Sequence, residues 1–322
     1  MKAIRVHTPG GPEAMVFEDI ALASPGDDEI RVRHTVIGVN FIDTYHRSGL
    51  YKLPLPARIG SEAAAVVTEV GANVTRVKPG DRIGYVNVIG AYAEEANIPA
   101  WRAVKLPDWI SDETAAASML KGFTSHYLLK STFAVKAGQT ILVHAAAGGV
   151  GLILCQWAKH LGATVIGTVG SDSKRELALN NGCTHVFNSR TDDIIAKVKE
   201  LTNGEGVPVV YDSVGKDTFE TSLDCLAVRG LMVTFGNASG PVPPFEPHRL
   251  SPKGSLFLTR PTLVHHIRTA EETQERADDL FGVIREGAVK IQVHQRFALA
   301  EAREAHEALH GRGTTGATVL IP

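Results

Sequence analysis

The chain has 322 residues, 44% hydrophobic and 21% charged, with a formal net charge of −2. This is the balance of an ordinary globular protein. It lacks the basic excess of a nucleic-acid surface, and no apolar run approaches the roughly 20 residues of a membrane helix. The length predicts about two domains instead of one core. Cys155, Cys183 and Cys225 are odd in number and far apart, which suits reduced, buried thiols in a cytoplasmic protein. The first six residues read as a strand and lack the apolar core of a signal peptide.

Residues 1–110 read as mostly β, with strands expected at 3–7, 30–39, 63–70 and 82–86 and turn signals such as Pro25-Gly-Asp-Asp28 between them. Alternation from Ile30 to Ile37 predicts strands with one wet face. The stretch from Gly38 to Tyr51 is dense in polar and aromatic groups. Asn40, Asp43, Tyr45 and Tyr51 are candidates to line a pocket. Equally, Asn40 suits a helix cap and Asp43 a pair with Arg47 at i, i+4. Ser111 and the acids after it open a helix expected to break at Lys121-Gly122. A second helix would then carry Thr124, Tyr127 and Leu128. Tyr127 suits either core packing or a cofactor contact.

From Thr140 the rhythm changes to alternating strand and helix. Thr140-Ile-Leu-Val143 reads as a buried strand, and Leu154, Trp157, Ala158 and Leu161 recur at helical spacing. Between them lies His144-Ala-Ala-Ala-Gly-Gly-Val-Gly151. Gly148 and Gly151 hold the second and third positions of G-x-G-x-x-G, with Ala146 at the first. A strand before, a helix after and a second strand at 164–169 favour dinucleotide binding over a plain packing turn. Pyrophosphate is then met by free N–H groups at a helix N-terminus. A capping-box pattern at Ser173-x-x-Glu176 predicts a helix from there to Asn181. Further strands are expected at 185–187, within 207–215, at 231–236 and at 255–261, with helices at 192–201 and 217–226. The fold class is α/β, a doubly wound parallel sheet beside a mostly-β domain. Asp212-Ser213 and Gly236-Asn237 fall at strand ends, where such sheets bind ligands. His265-His266 reads as a surface helix start. A second capping box, Thr269-x-x-Glu272, opens a helix. The strand-like 317–321 should return to the first domain.

The end of the second strand reports on the cofactor. A carboxylate there holds the ribose 2′-OH of NAD. Here Gly170 and Ser171 leave room, and Lys174 supplies charge for a 2′-phosphate. Asp172 is assigned to the helix-start turn. NADPH is the expected cofactor.

Taken together and in order, His144–Gly151, Asn40-Phe-Ile-Asp-Thr-Tyr45, Tyr211-Asp-Ser-Val-Gly215, Phe235-Gly-Asn237 and Thr259-Arg-Pro261 are specific. Over its whole length the chain resembles the NADPH:quinone oxidoreductases, the ζ-crystallin-like branch of the medium-chain dehydrogenases/reductases. The resemblance implies a GroES-like catalytic domain from residues 1–122 and 266–322, and a Rossmann domain from 123–265. It also implies a homodimer formed through the Rossmann domains. Positions Asn40, Asp43 and Tyr45 would lie near the nicotinamide. Tyr127, Gly149, Val150, Ser213, Asn237, Arg260 and Arg312 would line the cofactor cleft, and Gly170 and Lys174 would hold the 2′-phosphate. Ser189 departs from the relatives, which often place a Tyr there.

Zinc-dependent members of that superfamily carry a Cys near position 40 and a His after Gly60. This chain has Asn40 and Ser61, and no C-x-x-C pair, so no metal is expected. The expected acceptors are therefore quinones or enones, activated by their own conjugation. Tyr45 and Tyr51 are candidate proton donors, although a free tyrosine, with a pKa near ~10, donates poorly at neutral pH. The leading reading is a quinone reductase. An alkenal or enone double-bond reductase is the alternative within enzymes. A crystallin-like nucleotide-binding protein without turnover is the alternative outside them. RNA binding, known in that branch, has no basic cluster to support it.

Overall fold

The computed structural model describes residues 1–311 and 313–322; Arg312 lies outside the described residues. The chain forms two compact units. One holds Met1–Lys121, Ile267–Leu280 and Ile291–Pro322; the other holds Gly122–His266 and Phe281–Lys290. The sequence expectation placed 266–322 together in the catalytic domain. His266 and Phe281–Lys290 instead join the second unit, as does Gly122, which the expectation placed at the end of the first segment. One physical cause is Gln156, whose side chain accepts from the Lys290 N–H at 2.9 Å and donates to the Lys290 carbonyl at 3.2 Å. Sequence spacing does not reveal such a long-range clasp.

The first unit is mostly β. Its larger sheet runs Val293–Ala298, Ala317–Ile321, Glu29–Val39, Glu62–Val70, Arg82–Val86 and Val104–Lys105, with Glu95–Pro99 also paired to Glu29–Val39. Strand Glu29–Val39 begins with the alternation read from sequence: Ile30, Val32 and His34 are buried while Arg31 and Arg33 lie outward. His34 tolerates burial because one ring nitrogen meets the Ala93 carbonyl at 2.6 Å and the other the Tyr85 hydroxyl at 2.7 Å. Ala317–Ile321 pairs antiparallel with Glu29–Val39, so the chain end does return to this unit. Met15–Asp19 and Glu95–Pro99 are strands absent from the expectation. Met15–Asp19 forms the edge of a small sheet with Lys2–Val6 and Ala57–Arg58. Only its first residue is buried, which leaves no period-2 apolar signal to read.

The helix opened by Ser111 spans Asp112–His126, with the Ser111 hydroxyl accepting from the Thr114 N–H at 3.0 Å. The expected break at Lys121-Gly122 does not occur. The helix runs through it and then widens into a π-helical turn, Tyr127–Thr132. A glycine inside a helix costs about 1 kcal/mol relative to alanine. Full burial of Met119 and Phe123 on either side outweighs that.

The second unit is a six-stranded sheet in which every pairing is parallel. In spatial order its strands are His185–Asn188, Thr164–Val169, Thr140–Val143, Val207–Asp212, Leu226–Thr234 and Phe257–Thr259. By sequence rank this is 3-2-1-4-5-6, the Rossmann order, which reverses beside Thr140–Val143. Helices Ile194–Leu201 and Phe219–Asp224 bury Ile194, Val198, Phe219 and Leu223 in a cluster with Leu142, Ile166 and Val210. The capping box read at Ser173-x-x-Glu176 does not form. A 3-10 turn, Asp172–Lys174, precedes helix Arg175–Asn180, and the Ser173 hydroxyl meets the Ser171 hydroxyl at 3.0 Å. Among the described residues no helix is long and apolar enough to cross a membrane.

Candidate active site

In the second unit the glycine-rich turn sits where the strand order reverses. Ala145, not Ala146, takes the left-handed conformation, with φ 54°. Its carbonyl accepts from the Gly148 N–H at 2.9 Å. Gly148 caps helix Gly149–His160. A Cβ on Gly151 would lie 2.3 Å from the Ala145 carbonyl oxygen, so only glycine lets the helix come this close. The first turn of that helix, Gly149 and Val150 included, has N–H groups with no intrahelical acceptor, which suits a pyrophosphate.

Around that turn the other strand ends converge. Asp212, fully buried, accepts from the N–H groups of Val214 and Gly215 and from the hydroxyls of Thr218 and Ser222. Its carboxylate is fully used in shaping the loop that carries Ser213. Gly236 packs directly on Ser213; a Cβ there would meet the Ser213 carbonyl oxygen at 2.3 Å. The Ala238 N–H donates to the same carbonyl at 3.2 Å, setting Asn237 beside it. Arg260 reaches across to the Gly236 carbonyl at 2.9 Å and the Thr234 hydroxyl at 3.0 Å. Ser213, Gly236, Asn237 and Arg260 are thus brought together. Tyr127 is buried and stacks on His266 with centroids 4.4 Å apart and rings 2° from parallel. His266 is therefore a packing partner and not simply part of a surface helix start.

The Gly170–Lys174 segment follows strand Thr164–Val169. A Cβ on Gly170 would meet nothing within 4 Å. Asp172 is exposed and turned to Arg175 at 2.7 Å and Asn188 at 3.2 Å, as the assignment to the helix-start turn requires. Asp192 also holds Arg175, at 2.6 Å. Both acids near this strand end are thus engaged by Arg175. Lys174 has its pKa lowered, first by burial and then by the charge of Arg190. Arg190 had no sequence signal: it follows Ser189, whose N–H donates to the Val169 carbonyl at 2.9 Å across the neighbouring strand.

The first unit gathers the other candidates on helix Phe41–Ser48. Asn40 is its N-cap, and the Asp43 carboxylate accepts from the Asn40 N–H at 2.8 Å. The Asp43–Arg47 pair, one of the two alternatives read from sequence, is not made. Asp43 instead accepts from the Tyr92 hydroxyl at 3.0 Å and the Ser61 hydroxyl at 3.2 Å, while Arg47 reaches His306 at 3.0 Å. Asp43 is fully buried, and desolvation pushes its pKa up to about 7 against these donors. The Asn40 amide donates to Glu62 at 2.9 Å. Glu62, also fully buried, accepts from the Leu120 N–H at 2.6 Å and from Lys121 at 3.4 Å. Tyr45 and Tyr51 pack edge to face, centroids 5.3 Å apart, with Tyr51 exposed. Sequence reasoning missed Glu62, Tyr92, Lys121 and His306, which lie far along the chain from the helix they support.

Comparison with known proteins agrees with this layout. The families described as zinc-binding dehydrogenase and alcohol dehydrogenase GroES-like domain match residues 149–282 and 26–108. A quinone oxidoreductase of Pseudomonas aeruginosa is 53% identical, covering 100% of this chain and 99% of that protein. The crystal structure of an Escherichia coli quinone oxidoreductase complexed with NADPH superposes with a TM-score of 0.98 at 49% identity, covering 100% of both chains. A 2-haloacrylate reductase of Burkholderia is 45% identical over 98% of each chain.

The chain belongs to the quinone oxidoreductase family. The cofactor of this family fits the residues present: an open strand end with a lysine, and a helix start that admits no side chain at Gly151. The zinc named in one family description does not fit. At positions 40 and 61 stand an amide and a hydroxyl, and the neighbouring Glu62 carboxylate already takes three donors. Among the described residues no group of three or more His, Cys, Asp or Glu could hold a metal ion.

Proposed function

We propose that this protein reduces quinones with NADPH and without zinc. The observation that carries the reading is identity over the whole chain to quinone oxidoreductases, one of them solved with NADPH. NADPH supplies the hydride. Gly148, Gly149 and Val150 would hold its pyrophosphate, and Gly170, Ser171 and Lys174 its 2′-phosphate. Tyr127, Ser213, Gly236, Asn237 and Arg260 would line the rest; Arg312, assigned to the cofactor by the resemblance, lies outside the described residues. Asn40 and Tyr45 are assigned to the nicotinamide and acceptor side, with Tyr45 and Tyr51 as candidate proton donors. Asp43, being buried, would act there through the residues it holds. The GroES-like catalytic domain is assigned to the first unit and the cofactor domain to the second.

A homodimer through the cofactor domain is supported by the open edge strand Phe257–Thr259, where Phe257 is 59% exposed, and by Val228 on the neighbouring strand at 73%. A cytoplasmic location is supported by three buried, unbridged cysteines. The deciding experiment follows NADPH absorbance with a quinone panel and an enone panel, repeated with NADH. Quinone turnover with NADPH preferred is the expected result. The 2-haloacrylate reductase relative makes a double-bond reductase the second reading, and turnover with enones alone would establish it. Cofactor binding without turnover would favour a crystallin-like role.

A further inference from the structure

Four buried side chains of the first unit form one continuous chain of hydrogen bonds: Arg47 to His306 at 3.0 Å, His306 to Tyr92 at 3.0 Å, and Tyr92 to Asp43 at 3.0 Å. All four are buried, with Asp43 and His306 at 0% exposure and Arg47 and Tyr92 at 1%. Both ends lie on helix Phe41–Ser48, and the chain leaves and rejoins it through a loop tyrosine and a histidine of helix Ala302–His310.

The chemistry gives this chain a direction. Arginine has only donors. The His306 Nδ1 facing it must therefore be the acceptor, so the neutral ring carries its proton on Nε2. Burial and the Arg47 charge hold His306 neutral, its pKa lowered to about 3. Nε2–H then donates to the Tyr92 oxygen, and Tyr92 has one direction left for its own proton, toward Asp43. The Asn40 N–H is likewise an obligate donor to the same carboxylate oxygen. Three groups therefore present donors to Asp43, and among them only the Ser61 hydroxyl can turn round to accept.

We propose that Asp43 is the positioning residue of the acceptor side: its ionised carboxylate is the terminal acceptor of a one-way chain anchored by Arg47, and this sets the first turn of the helix that carries Asn40 and Tyr45. The inference rests on the assignment of Asn40 and Tyr45 to the acceptor side. Protonating Asp43 removes the charge from three hydrogen bonds at once and forces Ser61 to reverse. Acceptor reduction then falls as pH drops through the Asp43 titration. The charged and titratable groups around the carboxyl are Tyr92 on its loop, Lys121 and Glu62 on the far side of Asn40, and Arg47 and His306 along the chain. Glu13 and His310 act more remotely, through Arg47 and His306.

The test is the pH profile of kcat/KM for a quinone at saturating NADPH, in wild type, Asp43→Asn, Tyr92→Phe, His306→Phe and His306→Gln. Asp43→Asn should abolish the acidic fall. Tyr92→Phe removes one donor to the charged form and should move the midpoint up by about one pH unit. His306→Phe should also move it up, whereas His306→Gln, which can accept from Arg47 and donate to Tyr92, should restore the wild-type midpoint. NADPH binding by fluorescence checks that each variant is folded. An unchanged fall in Asp43→Asn, or unmoved midpoints in both folded Tyr92→Phe and His306→Phe, would overturn the proposal. The infrared carboxylic-acid band lost in Asp43→Asn gives the same midpoints without turnover. If no quinone is reduced at any pH, the function assigned above fails. A band midpoint unmoved by Tyr92→Phe would then overturn the chain as well, and a raised one would uphold it.

Discussion

The two regions assigned to the site are built in opposite ways. The end of the second unit assigned to the nucleotide is made of backbone: glycines, strand ends and a helix start, drawn from short consecutive segments. The region around Asp43 is made of buried side chains drawn from residues 40, 47, 61, 62, 92, 121 and 306. Backbone shape at a turn is encoded locally, by which residues can adopt it. A buried polar network is encoded by which distant residues the fold brings within hydrogen-bond range, and each member depends on the others being present. Damage to the first should therefore appear as lost cofactor affinity. Damage to the second should appear as lost stability and altered pH dependence.

The largest effect should come from Glu62→Ala. It leaves Lys121 buried without this carboxylate and releases the Asn40 amide and the Leu120 N–H. Breaking a buried pair from one side costs about 3–5 kcal/mol, to be read from urea unfolding. A cost below about 1 kcal/mol would show that the network carries little stability.

Next comes the pH dependence of stability at Asp43. Its carboxyl rises from the ordinary 3.8 to about 7 on folding, so between these values the native state keeps a proton that the unfolded chain has lost. By linkage, this group's contribution to stability falls as pH rises from about 4 to about 7, by about 4 kcal/mol at most. His306, lowered to about 3, works the other way, adding stability as pH rises from about 3 to 6.5. The difference between wild type and Asp43→Asn cancels His306 and isolates the carboxyl. Asp43→Asn should gain relative stability toward pH 7 in thermal melts, and a pH-independent difference would contradict the assignment.

Gly151→Ala tests the other region. Its Cβ would press on the Ala145 carbonyl, and the glycine-rich turn must move. A loss of NADPH affinity of about 100-fold, near 2.7 kcal/mol, is expected by fluorescence titration. Retained affinity would show that the turn has slack. The smallest effect is Lys174→Ala, which should weaken NADPH by about 10-fold, or 1.4 kcal/mol, and leave NADH nearly unchanged. Equal losses would remove Lys174 from the 2′-phosphate. An NADPH preference that survives would direct attention to Arg190, whose charge Lys174 already senses.

The sequence by itself determined the rhythm of the fold, the place of the glycine turn, the room at Gly170 with Lys174 beyond it, and the return of the last strand. These follow from hydrophobic period, turn chemistry and residue size, which are properties of neighbours along the chain. Only the tertiary structure decided that Lys121-Gly122 lies inside a helix, that Phe281–Lys290 joins the cofactor unit, and that Ser173 makes no capping box. It also decided that Asp43 and Arg47, one helical turn apart, meet through Tyr92 and His306 and not directly. For Gln156 with Lys290, and for Arg47, His306, Tyr92 and Asp43, contacts between residues remote in sequence decided the outcome; at Ser173 the neighbouring Ser171 hydroxyl did. Burial raises the value of such contacts because it removes water as a competing partner.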